Sequence, residues 1–145
     1  MSVKVPGGDV VTDEPGRRVA ILAGTDALAV THSIYTRGES GPEAHVHHQH
    51  VDSFFVLDGE LVFELGSDLE RVVARAGTFV LVPPEVVHTF RNEGPEVARF
   101  LNLHAPSKNF HRQLRGEDVD FDTSDPPSGG GRPASEAVIV GTLET

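Results

Sequence analysis

Cysteine is missing from all 145 positions. Disulfides, thiolate metal ligands and cysteine nucleophiles are therefore excluded, and any chemistry has to come from imidazole, carboxylate, hydroxyl or amide groups. Basic residues are scarce: 12 Lys and Arg stand against 22 Asp and Glu, a formal charge of −10. A surface this acidic has no general attraction to nucleic acid or to an anionic membrane, so neither is expected as a partner. Long apolar runs are missing as well. None approaches the roughly 20 residues that a spanning helix needs. The first twenty positions carry Asp9, Asp13, Glu14, Arg17 and Arg18 without an apolar core, so no secretory leader is expected. Together with the lack of cysteine, this leads us to expect a cytoplasmic protein.

The apolar share, 38%, is low for a globular chain, and the shortage is concentrated at the two ends. Residues 1–16 are rich in Gly, Pro and Asp and read as an N-terminal extension with room for one short strand. Residues 117–135 (EDVDFDTSDPPSGGGRPAS) bury too little apolar surface to offset ordering entropy and read as an irregular or mobile tail. The apolar stretch 136–143 that follows reads as an edge strand, set against the body or a second subunit. Between these ends, residues 17–116 form one domain.

Within that domain, short β-rich runs alternate with turns every 6–12 residues, and helical periodicity is lacking. The runs are 18–23, 27–36, 53–65 (split by the hairpin signal Asp58-Gly59), 69–77, 78–84, 86–92 and 97–106. This is the pattern of an all-β sandwich or barrel. A short helix is expected at 107–115, with Ser107 as N-cap and Gly116 as stop.

Histidine is where the chain is rich. Four of its eight histidines fall in HVHHQHVD, residues 45–52. On a strand, His45 and His47 project to one side and His48 and His50 to the other. A turn through the polar HHQHV segment brings Asp52 back beside His45 and His47. His88, after the Pro-Pro-Glu turn, supplies a fourth group. Three imidazoles and a carboxylate suit a divalent transition metal with a position left for water or substrate. If the turn falls differently, His50 takes the place of Asp52. His48 is expected in solvent or hydrogen-bonded to a ligand. His32, His104 and His111 read as isolated, His104 being the one nearest the barrel. Phe54, Val56, Phe90 and Leu101 are candidates for an apolar wall, with core packing an equal reading.

The spacing of these residues resembles the two signature motifs of the cupin superfamily. His45, His47, Asp52 and Gly59 follow H-x-H-x4-D-x6-G, and Gly77, Pro83, Glu85, His88 and Asn92 follow G-x5-P-x-E-x2-H-x3-N. The resemblance covers about residues 20–105. Three positions depart from the family pattern: Glu39 stands where its first glycine is expected, Asp52 where it has glutamate, and Glu85 where it has glycine. The resemblance implies a cupin β-barrel or jelly roll of two antiparallel sheets, with a short C-terminal helix and an irregular tail. It further implies that His45, His47, Asp52 and His88 hold Fe, Mn, Ni, Co or Zn. Small bacterial cupins of this appearance are similar to quercetin 2,3-dioxygenase-like proteins. That likeness implies a dioxygenase acting with O2 on a small enolisable or aromatic, flavonol-like substrate, with Asp52 as ligand and catalytic base. A metal-dependent isomerase or lyase and a non-catalytic small-molecule binder are the alternatives. Cupins commonly pair through sheet edges, and the 136–143 segment is apolar, so a homodimer is expected. Sedimentation velocity at micromolar concentration should find a dimer; a monomer there would rule this out.

Overall fold

The computed structural model describes residues 7–141. Residues 1–6 of the expected extension and residues 142 and 143 of the expected edge strand lie outside the described residues. The chain runs β1 (Asp9–Glu14), β2 (Arg17–Gly24), β3 (Ala29–Tyr35), β4 (Val51–Asp58), β5 (Glu60–Leu65), β6 (Glu70–Arg75), β7 (Phe79–Val82), β8 (His88–Arg91), β9 (Ala98–Ala105), α1 (Phe110–Leu114) and β10 (Val138–Val140). A 3-10 turn at Ala134–Glu136 precedes β10. The strands form one sheet in the order β1-β2-β3-β9-β4-β7-β10 and a second in the order β6-β5-β8. Every pair of strands is antiparallel. This is the all-β, two-sheet architecture expected. No helix among the described residues is long and apolar enough to cross a membrane.

Alternation along the strands decides which residues meet between the sheets. On β3 the inward positions are Ala29, Thr31, Ser33 and Tyr35; on β9 they are Ala98, Phe100, Asn102 and His104. From one sheet, Phe54, Val56 and Phe100 face Leu61, Phe63, Leu65 and Phe90 from the other and form the core. The Phe54 ring lies edge-on to Phe63 and to Phe90, each at 4.9 Å between centroids. Leu101, a wall candidate, has the other parity and faces outward, while its neighbour Phe100 points in. Phe54 and Val56 belong to the core.

Two local expectations are corrected. Asp58-Gly59 makes a turn, with Gly59 at φ 70°, but not a hairpin. Instead β4 pairs with β7 and β9 while β5 pairs with β6 and β8, so the turn carries the chain from one sheet to the other. A side chain at Gly59 would place its Cβ 2.5 Å from the Val97 carbonyl, so glycine is required by space as well as by φ. The short helix starts at Asn109, in the left-handed region at φ 70°, and not at Ser107. Ser107 is engaged elsewhere: its amide and hydroxyl both donate to the Asp26 carbonyl in the β2–β3 turn.

Phe54 is fully buried against the rings of Phe63, Phe90 and Phe100, so Phe54→Ala leaves a cavity that the sheets cannot collapse around. A loss of about 3–5 kcal/mol is expected in urea unfolding, the usual range for such truncations.

Candidate metal centre

Strand register builds the floor of the site. Across the shared ladder, Asp52 on β4 sits opposite His104 on β9, and Phe54 sits opposite Asn102. From the other sheet, His88 opens β8 opposite Leu65. His45 lies on no strand of its own, yet its backbone exchanges hydrogen bonds with His88: His45 N donates to the His88 carbonyl at 3.1 Å and His88 N to the His45 carbonyl at 3.0 Å. One further bond, from Glu85 N to the His47 carbonyl at 2.8 Å, holds the two histidine segments together. His45, His47, Asp52 and His88 thereby converge, one donor atom from each within 4.8 Å of the others.

The hydrogen bonds on the far side of each ring fix what that convergence means. His45 Nδ1 donates to the Glu43 carbonyl at 2.8 Å, His47 Nδ1 to the Asp122 carbonyl at 2.7 Å, and His88 Nδ1 to the Val86 carbonyl at 3.0 Å. A carbonyl oxygen can only accept, so in each neutral ring Nδ1 carries the proton and Nε2 presents a lone pair. For His47 and His88 that lone pair faces Asp52 Oδ2, at 3.2 and 3.0 Å. With both rings neutral, lone pairs would meet the carboxylate here, and a cation, either a proton on Nε2 or a metal ion, satisfies the arrangement. Nitrogen and carboxylate donors in this number fit a divalent transition metal.

The electrostatics agree with that fit. Burial would raise the Asp52 carboxyl, but His104, His47 and His88 around it outweigh this and hold it well below the usual carboxylate range. Its second oxygen accepts from Asn102 Nδ2 at 2.6 Å. Burial, together with the neighbouring His88, pushes His45 down to about 4. A metal requires an unprotonated His45 and an ionised Asp52, and for these two residues those are the states the environment favours.

His50 and His104 are drawn in as well. The parity expected of a strand would have turned His50 away, but residues 48–50 bend instead of extending, and its ring is buried. His50 Nδ1 contacts Asp122 Oδ2 at 2.8 Å, and His50 Nε2 contacts His104 Nδ1 at 2.8 Å. His47, His50 and His104 form a second group of potential donors that shares His47 with the first. Burial, above all, pushes His104 down to about 3. His48 does face solvent, where it pairs with Glu85, a non-glycine residue at φ 70°. His32 receives a hydrogen bond from Arg99, and His111 packs beside Gly24 with its Nδ1 unpartnered.

Above the floor lies a cavity of about 270 Å³ whose walls include the rings of Tyr35, Phe90, Phe100, Phe110 and Phe121. Arg17, Thr31, Ser33 and Gln113 add polar groups to its lining. Sequence reasoning missed Asn102, His104, Phe121 and Asp122 as parts of this site. A signal existed for the first two: polar residues occupy two successive inward positions of an otherwise apolar strand.

The comparisons with known proteins agree with this architecture. A cupin domain family model matches residues 31–104, half of the chain and the span that holds all four converging residues. No curated protein sequence matches. Among solved structures, KdgF from Halomonas sp. is 24% identical over 71% of this chain and 92% of its own, with a TM-score of 0.61. A predicted oxalate decarboxylase from Thermotoga maritima is 21% identical over 61% of this chain and 79% of its own, TM-score 0.56. A sugar phosphate isomerase from Silicibacter pomeroyi is 23% identical over 62% of this chain and 59% of its own, TM-score 0.56. At these identities the likeness is one of fold.

The lowered values of His45 and His104 predict how the metal-free protein responds to acid. An unfolded histidine takes up its proton near pH 6.5, whereas these two, folded, resist protonation down to about 4 and about 3. Their stabilising effect is therefore complete above about pH 6.5 and is lost progressively as pH falls toward those folded values. Urea unfolding of metal-free protein should show stability falling between pH 6.5 and 4, and His104→Gln should make that slope shallower. An unchanged slope in the variant would contradict the assignment.

Proposed function

The chain belongs to the cupin domain family, and on that premise we propose that it is a metal-dependent enzyme, a dioxygenase acting on a small enolisable or aromatic substrate. One observation carries the reading: three imidazoles whose Nδ1 atoms are bonded to backbone carbonyls converge with a buried carboxylate at the floor of a cavity lined in part by aromatic rings. His45, His47, Asp52 and His88 would hold the metal. A divalent transition metal bound there acidifies an enol hydroxyl and, if redox-active, brings O2 into reaction with the substrate.

The chain's own groups have distinct tasks in this reading. Phe90, Phe100 and Phe110 clasp a flat apolar body and keep bulk water from it. Asp52 is ligand and proton acceptor. A carboxylate held so far below its usual range is a weak base, so it takes a proton only from a hydroxyl already acidified beside it. Asn102, bonded to Asp52 Oδ1, keeps the carboxylate from rotating.

Cupin-fold neighbours include a predicted oxalate decarboxylase and a sugar phosphate isomerase, which favour a redox-neutral lyase or isomerase as the second reading. Oxygen consumption separates the two. Metal content by plasma mass spectrometry should approach one equivalent in untagged protein and vanish in the His45→Ala/His88→Ala double variant. The loaded protein should then consume O2 with a flavonol in the oxygen electrode. Metal without oxygen uptake across enolisable substrates moves the assignment to lyase or isomerase, and a parent that takes up no metal after reconstitution overturns both.

A further inference from the structure

Residues 47–50 carry one proposed ligand and the turn leading to the next, and in sequence they are a polar loop with little to hold them still. What holds them lies more than seventy residues away. The Asp122 carboxylate accepts from His48 N at 3.0 and 3.1 Å, from Gln49 N at 2.7 Å, and meets His50 Nδ1 at 2.8 Å. The Asp122 carbonyl accepts from His47 Nδ1 at 2.7 Å. One residue therefore engages four consecutive residues of the ligand loop.

The neighbours of Asp122 reinforce the arrangement. Ser124 exchanges backbone hydrogen bonds with Val46, each 2.9 Å long, and so lies antiparallel to the segment just before the loop. Phe121 packs its ring 5.6 Å from His47, 5.4 Å from His50 and 5.2 Å from Phe110. The Asp122 side chain is 12% exposed, far from the solvated state usual for an acidic residue in a segment of Asp, Pro and Gly.

We propose that Asp122 is a positioning residue of the metal centre: through the 47–50 loop it sets the direction of the His47 Nε2 lone pair and hence the affinity and geometry of the bound ion. This rests on the metal reading above. The His47 bond fixes which nitrogen is free, and the three carboxylate contacts fix the loop from which the ring projects. Outer partners of metal-bound histidines act in this way, and their removal typically costs about 10–100-fold in metal affinity.

The test uses full-length protein with Asp122→Ala, Asp122→Asn and, as a control in the same segment, Ser124→Ala, which removes a side-chain contact to His48 and leaves Asp122 intact. In metal-free protein, hydrogen exchange by NMR should show the His48 and Gln49 amides protected in the parent and in Ser124→Ala, and exposed in Asp122→Ala. Titration with Co(II) against a chelator should give Kd values about 10–100-fold higher for Asp122→Ala, with altered visible Co(II) bands. Asp122→Asn, which keeps one acceptor oxygen for the loop amides, should fall between Asp122→Ala and the parent. A folded Asp122→Ala that keeps the parent's amide protection, or its Co(II) affinity and spectrum, overturns the proposal. If the parent itself binds no Co(II), the metal reading fails and this proposal with it, while the exchange data show separately whether Asp122 orders the loop.

Discussion

A carboxylate buried in the mouth of an apolar sandwich has to be compensated, and the compensation of Asp52 organises the whole of this end of the molecule. An isolated buried carboxylate would be forced to take up a proton. Asp52 stays ionised because polar and imidazole groups from both sheets surround it: Asn102 and His104 from β9, His47 from the loop before β4, and His88 from β8. Each of these groups is in turn restrained from behind. Backbone carbonyls take the Nδ1 protons of His45, His47 and His88, and for His47 and His88 that leaves Nε2 turned to the carboxylate. The fold thus holds a ready set of negative and electron-rich atoms that is balanced when a cation joins it.

The register of one sheet places this polar cluster directly beside the apolar core. β4 and β9 lie side by side, so the pleat that buries Phe54 and Phe100 also turns Asp52 and His104 inward one step further along. Apolar core and polar floor are successive rungs of one ladder. The aromatic rings above Asp52 exclude water and define the cavity; that burial favours the protonated carboxyl, and the imidazoles around it reverse the effect.

Much of this was legible in the residues. The β-rich apolar runs between turn signals located β2 to β9, since such runs reflect local burial and do not depend on which strand is the neighbour. The convergence of His45, His47, Asp52 and His88 was legible too, because motif spacing encodes it. What escaped was non-local. Asp58-Gly59 resembles a hairpin locally, and only the partners of β4 and β5 show that the strands part company. His104 looked isolated because its partners lie on β4 and in the tail. The 117–135 segment looked unanchored because apolar content was the measure. It is irregular as expected, but it docks through carboxylate and backbone hydrogen bonds, which composition does not register.

That docking has a consequence for the order in which the protein is made. The contacts between Asp122 and residues 47–50 span 72–75 positions of sequence. During synthesis both sheets that hold the ligands, apart from β10, can emerge and pair before residue 122 has left the ribosome, so the nascent chain passes through a stage with a formed barrel and a slack ligand loop. On the metal reading, the ion would then be captured late, once the segment around residue 122 has closed over the loop.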